Sequence, residues 1–410
     1  MDLQLSAGLK KHSGKVVVTG SKSESNRLLI LQALFPQLEI TNLSNSDDTR
    51  VLQKALSSIE EVVDVHHAGT AMRFLTAYFA TREGRRVVLT GSSRMQERPV
   101  KVLVEALRAL GADISYLKNE GYPPLKIEGK KITQQEVSVQ ANISSQYISA
   151  LMLIAPSLPN GLKIILQGNA TSVPYILMTL KLLEGCGIQG RFQDNIIQIP
   201  PAEEIPSVAL TVESDWSSAS YFYSIAAMSE EAEFKLSSYR EDSLQGDRSV
   251  AEIYRKLGVK TTFVEDKVLL QKEEVPKMTF LELDLSGSPD LAQTIAVTCL
   301  GLGIRCKITG LHTLRIKETD RLQALKNEME KFGGSVAISE DTLEFSPSEK
   351  LKTGIKIETY NDHRMALAFA ALATKVQLEI LEAEVVSKSF PGYWEELEKV
   401  GFSVKNLQKD

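Results

Sequence analysis

The sequence predicts an α/β fold of two domains, each made of three repeated units with helices inside and sheets outside. Three observations predict it. First, one phrase recurs along the chain: an amphipathic run, a Gly or Gly pair, then a short alternating apolar segment. It reads ALRALGADISY around Gly111, LKLLEGCGIQG around Gly187, IYRKLGVKTTF around Gly258, MEKFGGSVAI around Gly333 and LEKVGFSV around Gly401. Gly just past the last helical turn takes the left-handed conformation that closes a helix, and apolar alternation at a period of two begins a strand. Second, these glycines fall roughly 70 residues apart, too long for a solenoid repeat, so each copy marks a small α/β subdomain. A less regular sixth copy fits VLQKALSSIEEVVDV near Leu56. Third, SQYISALMLIAPSL and PDLAQTIAVTCLGL are apolar almost all round, as helices become when sheet covers them on several sides.

Size and composition agree with that organisation. A chain of 410 residues exceeds one ordinary core, and 43% hydrophobic with 24% charged residues describes an ordered globular protein. A net charge of −5 gives no general surface for nucleic acid, so any basic site must be local. Cys186, Cys299 and Cys306 cannot all pair and sit in apolar runs, which reads as buried thiols in a reducing compartment. The N-terminus MDLQLSAGLKK has no signal-peptide pattern, and no apolar run approaches about 18 residues. A cytoplasmic protein that does not contact membrane is expected.

Chemistry-bearing residues gather at strand-to-helix junctions. Gly20 to Arg27, GSKSESNR, precedes the apolar run LLILQALF; Lys22, Ser23 and Arg27 there would grip an anion at a helix N-terminus, with Ser23 and Arg27 on one face. Gly69 to Arg73, GTAMR, feeds the helix FLTAYFAT, and Gly lets a ligand approach the backbone. In RMQERP, Arg94 and Arg98 flank Glu97 ahead of a helix expected to hold Pro99 in its first turn, and a neighbouring carboxylate would pre-aim an Arg. Ser144, Ser145 and Gln146 open an apolar helix, and Ser172 and Tyr175 occupy the corresponding place in the next unit. Farther on stand Asp290 at a helix start, Lys317, Glu318 and Arg321 in RIKETDR, Arg364 in YNDHRM and Lys388 in SKSFP. On a helix Lys317 and Arg321 would share a face, and Asp290 by itself reads as a helix cap.

Eight cations, Lys22, Arg27, Arg73, Arg98, Lys317, Arg321, Arg364 and Lys388, occupy such junctions in an acidic protein, which calls for ligands carrying several negative charges. His66-His67 lacks a third metal ligand, Asp47-Asp48 reads as a helix cap, and neither a P-loop, a G-x-G-x-x-G nor a Ser/His/Asp arrangement is present. Chemistry without metal or cofactor is expected.

GSKSESNR, AGTAMR, RMQERP, SSQ, SVPY, DWSSASYF at Asp215, PDLAQT, KETDRL, YNDHRM and KSFP together resemble, in order and spacing, the 5-enolpyruvylshikimate-3-phosphate synthase family. The resemblance runs nearly end to end. It implies an inside-out α/β barrel, two domains of three βαβαββ units, with residues 20–213 as the central domain, 1–19 plus 214–410 as the other, and the active site in the cleft between them. It implies that the enolpyruvyl group of phosphoenolpyruvate moves to the 5-hydroxyl of shikimate 3-phosphate by addition and elimination, toward chorismate and aromatic amino acids. Lys22, Ser23, Arg27, Ser144, Ser145, Gln146, Ser172, Tyr175, Asp290 and Lys317 would then hold shikimate 3-phosphate. Lys22, Gly69, Arg98, Gln146, Arg321, Arg364 and Lys388 would surround phosphoenolpyruvate. Asp290 would act as base on the hydroxyl, Glu318 as the proton shuttle at C3, and Lys22 would assist the leaving phosphate.

The same resemblance implies no cofactor, small-molecule substrates as the only partners, a monomer, and sensitivity to glyphosate. Three positions depart from the family's usual residues: His67 and Thr313, each in place of Asn, and Phe74 in place of Pro. A related transferase that acts on UDP-N-acetylglucosamine uses a Cys near the stretch Arg94 to Arg98, where this chain has none.

Overall fold

The computed structural model describes residues 1–8, 10–140, 144–168, 173–274 and 278–407. The chain divides into two compact units, Gly20–Val212 and a second made of Met1–Thr19 with Glu213–Asp410.

Each unit is built from one repeated motif. In the second unit, strand Phe280–Asp284 is followed by helix Ala292–Leu302, the parallel strand Arg305–Thr309, helix Arg321–Lys331, and the antiparallel pair Ser335–Ile338 and Leu343–Ser346. That is a βαβαββ unit. Parallel pairing of the first two strands requires a crossover, and the buried helix supplies it. The same order builds the sheet of Ile355–Ile357, Leu378–Ile380, Leu3–Ala7 and Phe402–Asn406, with its last strand taken from the N-terminus. A third copy is split: Lys11–Val16 pairs in parallel with Glu231–Ser237, and the whole of Gly20–Val212 is inserted between them.

In Gly20–Val212 two complete copies form the sheets containing Val62–Asp64 with Arg86–Thr90, and Glu136–Gln140 with Leu162–Gln167. The third sheet is reduced to Leu38–Thr41 beside Val208–Thr211. The irregular copy near Leu56 is explained by this reduction: helix Asp47–Ser57 leads into the first strand of the next unit, not into an antiparallel pair. The glycines that punctuate the other five copies all take positive φ, from 81° to 105°.

Helices lie inside and the sheets form separate outer walls. Strand Glu231–Ser237 alternates buried and exposed residues, whereas every residue of helix Trp216–Met228 is buried. Polar residues on these interior helices pair with one another: Ser220 Oγ lies 3.0 Å from Thr294 Oγ1, and Thr298 Oγ1 lies 2.7 Å from both Ser224 Oγ and the Tyr254 hydroxyl. Such pairing removes the cost of burying unsatisfied hydroxyls. No described helix is long and apolar enough to cross a membrane.

Candidate active site

A consequence of the repeat is that helix N-termini gather in each unit. In Gly20–Val212 the first two turns of four helices, Lys22–Leu34, Gly69–Ala80, Ser145–Ile154 and Val173–Gly185, are linked through Arg27 and Thr70. Lys22 opens its helix, and its ammonium lies 3.2 Å from Asp48 Oδ2. Arg27 is buried one turn later. Its Nη1 donates to the Ser23 carbonyl at 2.8 Å, Nη2 to Ser149 Oγ at 2.9 Å and Nε to Thr179 Oγ1 at 2.8 Å. Its guanidinium carbon lies 5.5 Å from the centre of the Phe74 ring and 5.7 Å from that of Tyr175. Burial pulls the Arg27 pKa down to about 10.

Ser144 caps the third helix by accepting the Gln146 amide, and Gln146 Nε2 donates to Thr70 Oγ1 at 3.1 Å. Arg98 fills the space a side chain at Gly69 would need: a Cβ there would stand 2.7 Å from Arg98 Nη1. Glycine is therefore required for the guanidinium to reach the helix start. His67, two residues earlier, is held through Nδ1 by Ser92 Oγ at 2.8 Å. Ser172 lies outside the described residues.

The second unit repeats the design with more acid. Arg321 opens helix Arg321–Lys331 and is buried against three carboxylates: Nε donates to Asp362 Oδ2 at 2.6 Å, Nη1 to Asp290 Oδ1 at 3.0 Å and Nη2 to Glu318 Oε2 at 2.8 Å. Arg364 Nη2 lies 3.1 Å from Asp290 Oδ2, and Lys317 Nζ lies 3.8 Å from Asp290 Oδ1. Burial alone would push the Asp290 carboxyl up, but the charges of Arg364, Lys317 and Arg321 outweigh it and hold it well below the usual carboxylate range. For Lys317 the pull of Asp290 is outweighed by burial and by Arg321, leaving its ammonium easier to deprotonate than usual. Lys388 Nζ donates to the Asn361 carbonyl at 2.6 Å, next to Asp362, which caps helix His363–Ala370. Arg364 also reaches Ser217 Oγ at 3.3 Å, and that hydroxyl donates in turn to Asp247. Burial, reinforced by Asp290, pushes the Asp247 carboxyl up to about 7.

Several expectations change. Lys317 follows the short turn His312–Ile316 and Arg321 begins the next helix, so the two share no helical face; they meet through Asp290. Half-buried Thr313 lies in that turn. Asp290 sits in the turn Pro289–Leu291 and makes ion pairs, not a cap. Glu97 takes Arg94 in an exposed pair at 3.0 Å and leaves Arg98 alone. Pro99 precedes helix Lys101–Ala109, whose cap is Val100. Ser46, not Asp47 or Asp48, caps Asp47–Ser57, and Asp48 serves Lys22. Arg73 is no ligand-facing cation: its Nη1 and Nη2 donate to the carbonyls of Gly69 and Pro99 at 3.1 and 2.9 Å, bracing the Gly69 turn. Sequence reasoning missed Asp362, Ser217 and Asp247. The signal for Asp362 was an Asp directly before a helix start in YNDHRM; nothing local marks Asp247.

Clustered helix N-termini and cations, with one acid held ionised among them, define an α/β protein whose helix starts are suited to recognising anions. The family model for EPSP synthase (3-phosphoshikimate 1-carboxyvinyltransferase) matches residues 52–397. A 3-phosphoshikimate 1-carboxyvinyltransferase of Bacteroides fragilis is 46% identical over 395 residues, covering 95% of this chain and 96% of that protein. One of Mannheimia haemolytica is 36% identical, covering 96% and 98%. The fold matches a solved EPSP synthase of Acinetobacter baumannii with a TM-score of 0.79 at 21% identity, over 99% of this chain and all of that one. The chain belongs to the EPSP synthase family.

Proposed function

We propose that the two clusters serve one reaction, each supplying its own set of substrate contacts. The chain is a transferase that moves the enolpyruvyl group of phosphoenolpyruvate to the 5-hydroxyl of shikimate 3-phosphate, a step toward aromatic amino acids. In this reading Lys22, Ser23, Arg27, Ser144, Ser145, Gln146, Ser172 and Tyr175, with Asp290 and Lys317, hold shikimate 3-phosphate. Lys22, Gly69, Arg98, Gln146, Arg321, Arg364 and Lys388 hold phosphoenolpyruvate.

The observation that carries the roles is Asp290, an ionised carboxylate shared by Arg321, Arg364 and Lys317. While those cations face it undiluted it is a weak base. An incoming phosphate and carboxylate take up their charge, so the Asp290 pKa climbs as the substrates arrive and the carboxylate becomes able to accept a proton. The 5-hydroxyl oxygen then attacks C2 of phosphoenolpyruvate, its proton passes to Asp290, and Glu318 delivers a proton to C3. In the second step C3 returns a proton to Glu318, the double bond re-forms and phosphate leaves, taking up by way of Lys22 the proton that the hydroxyl gave to Asp290, so both carboxyl groups return to their starting states. The enzyme acts as a cytoplasmic monomer, and glyphosate, a small anion, competes for the phosphoenolpyruvate cations.

The division of labour is tested by Arg27→Met and Lys388→Met. Removing a charge-assisted contact is expected to raise the Kd of the affected ligand by about ten- to a hundredfold. Arg27→Met should weaken shikimate 3-phosphate in direct titration, Lys388→Met should weaken phosphoenolpyruvate, and both should slow the single coupled reaction. Arg27→Met binding shikimate 3-phosphate as tightly as the parent would contradict the assignment.

A further inference from the structure

Arg27 is buried, yet no ion pair joins it to a carboxylate among the described residues, and buried Glu24 supports its charge only through space; three of its N–H groups are spent on the Ser23 carbonyl, Ser149 and Thr179. A guanidinium carries five N–H donors, so 5 − 3 leaves two, one on Nη1 and one on Nη2. Two free donors on one planar fork suit a bidentate phosphate. A carboxylate hydrogen-bonded to Arg27 to offset the burial of the charge would occupy them. An aromatic face attracts the cation without accepting those hydrogen bonds, and most strongly where water is excluded. Phe74 supplies such a face 5.5 Å from the guanidinium carbon and is itself buried. Its position is set by the helix turn that Arg73 braces through the Gly69 and Pro99 carbonyls.

We infer that Phe74 is a positioning residue that holds Arg27 charged and oriented with its two remaining donors available, and so sets affinity for shikimate 3-phosphate. This rests on the reading that Arg27 binds shikimate 3-phosphate. The test is direct titration of shikimate 3-phosphate against the whole protein carrying Phe74→Leu and, separately, mono- and trifluorinated phenylalanine at position 74. Fluorination keeps the ring's shape and drains the electron density of its face. Kd is expected to rise stepwise along the fluorinated series and about tenfold in Phe74→Leu, with kcat and the KM for phosphoenolpyruvate unchanged. A flat fluorinated series overturns the inference, even if the leucine variant binds poorly, because packing alone then explains the loss. Failure of the parent protein to bind shikimate 3-phosphate would instead overturn the substrate assignment on which the inference rests.

Discussion

Replacing Arg321 by methionine is expected to cost about 3–5 kcal/mol of folding stability and to reduce kcat/KM by at least about a thousandfold. The reason is the number of acids that share this one cation. Its side chain is only 2% exposed and donates to Asp290, Glu318 and Asp362, of which Asp362 is completely buried. Methionine fills similar volume but leaves a buried carboxylate uncompensated, which is far more costly than removing the whole pair. Asp362 also caps helix His363–Ala370 by accepting the Arg364 amide at 2.9 Å, so the damage spreads to a second proposed substrate cation. Arg321→Lys should recover part of the stability and little of the rate, since an ammonium cannot span three carboxylates in a planar fork. Denaturant unfolding and steady-state kinetics read the two effects separately. A methionine variant as stable as the parent would mean that the Arg321 network does not hold this part of the core together.

The second large effect is expected at Asp290. Asp290→Asn keeps the shape and an acceptor for Arg321 but removes the proposed base, and kcat should fall by about 10² to 10⁴ while both substrates still bind. Stability should change with a defined pH dependence. The Asp290 carboxyl is held below its ordinary value of 3.8, so in the folded state it binds fewer protons than in the unfolded chain. Its contribution is therefore fully present above that value and is lost as pH falls through the folded pKa. Asp290→Asn should accordingly be less stable than the parent at pH 7, with the gap closing on acidification below about pH 4. Thermal unfolding at both pH values checks this; a gap that widens in acid would show that the carboxylate is not held ionised by its neighbours.

Much of the architecture was legible because its signals are local. A Gly forced to positive φ after an amphipathic run, as at Gly111 and Gly258, needs only a few residues to be recognised. Likewise, Lys22, Gly69 and Ser144 declare themselves as helix starts, and such starts are what the repeat brings together. What stayed hidden depends on partners far away in the chain. Arg73 and Arg27 look alike as cations in Gly- or Ser-containing turns. Only packing reveals that Arg73 is spent bracing the Gly69 and Pro99 carbonyls, whereas Arg27 is held mainly by the hydroxyls of Ser149 and Thr179. Lys317 and Arg321 have helical spacing, but an irregular turn can also separate two residues by four positions. The split βαβαββ copy was equally opaque, since Lys11–Val16 and Glu231–Ser237 pair across an inserted unit. Relatedness to the family named the substrates; no spacing in the chain does so.

The most direct measurement is phosphate release from phosphoenolpyruvate, followed together with formation of the enolpyruvyl ether on the shikimate 5-oxygen. The two-cluster account predicts no release with phosphoenolpyruvate alone, and one phosphate per ether formed once shikimate 3-phosphate is added. Release that ignores shikimate 3-phosphate, or tight binding of both ligands with neither product formed, would contradict it.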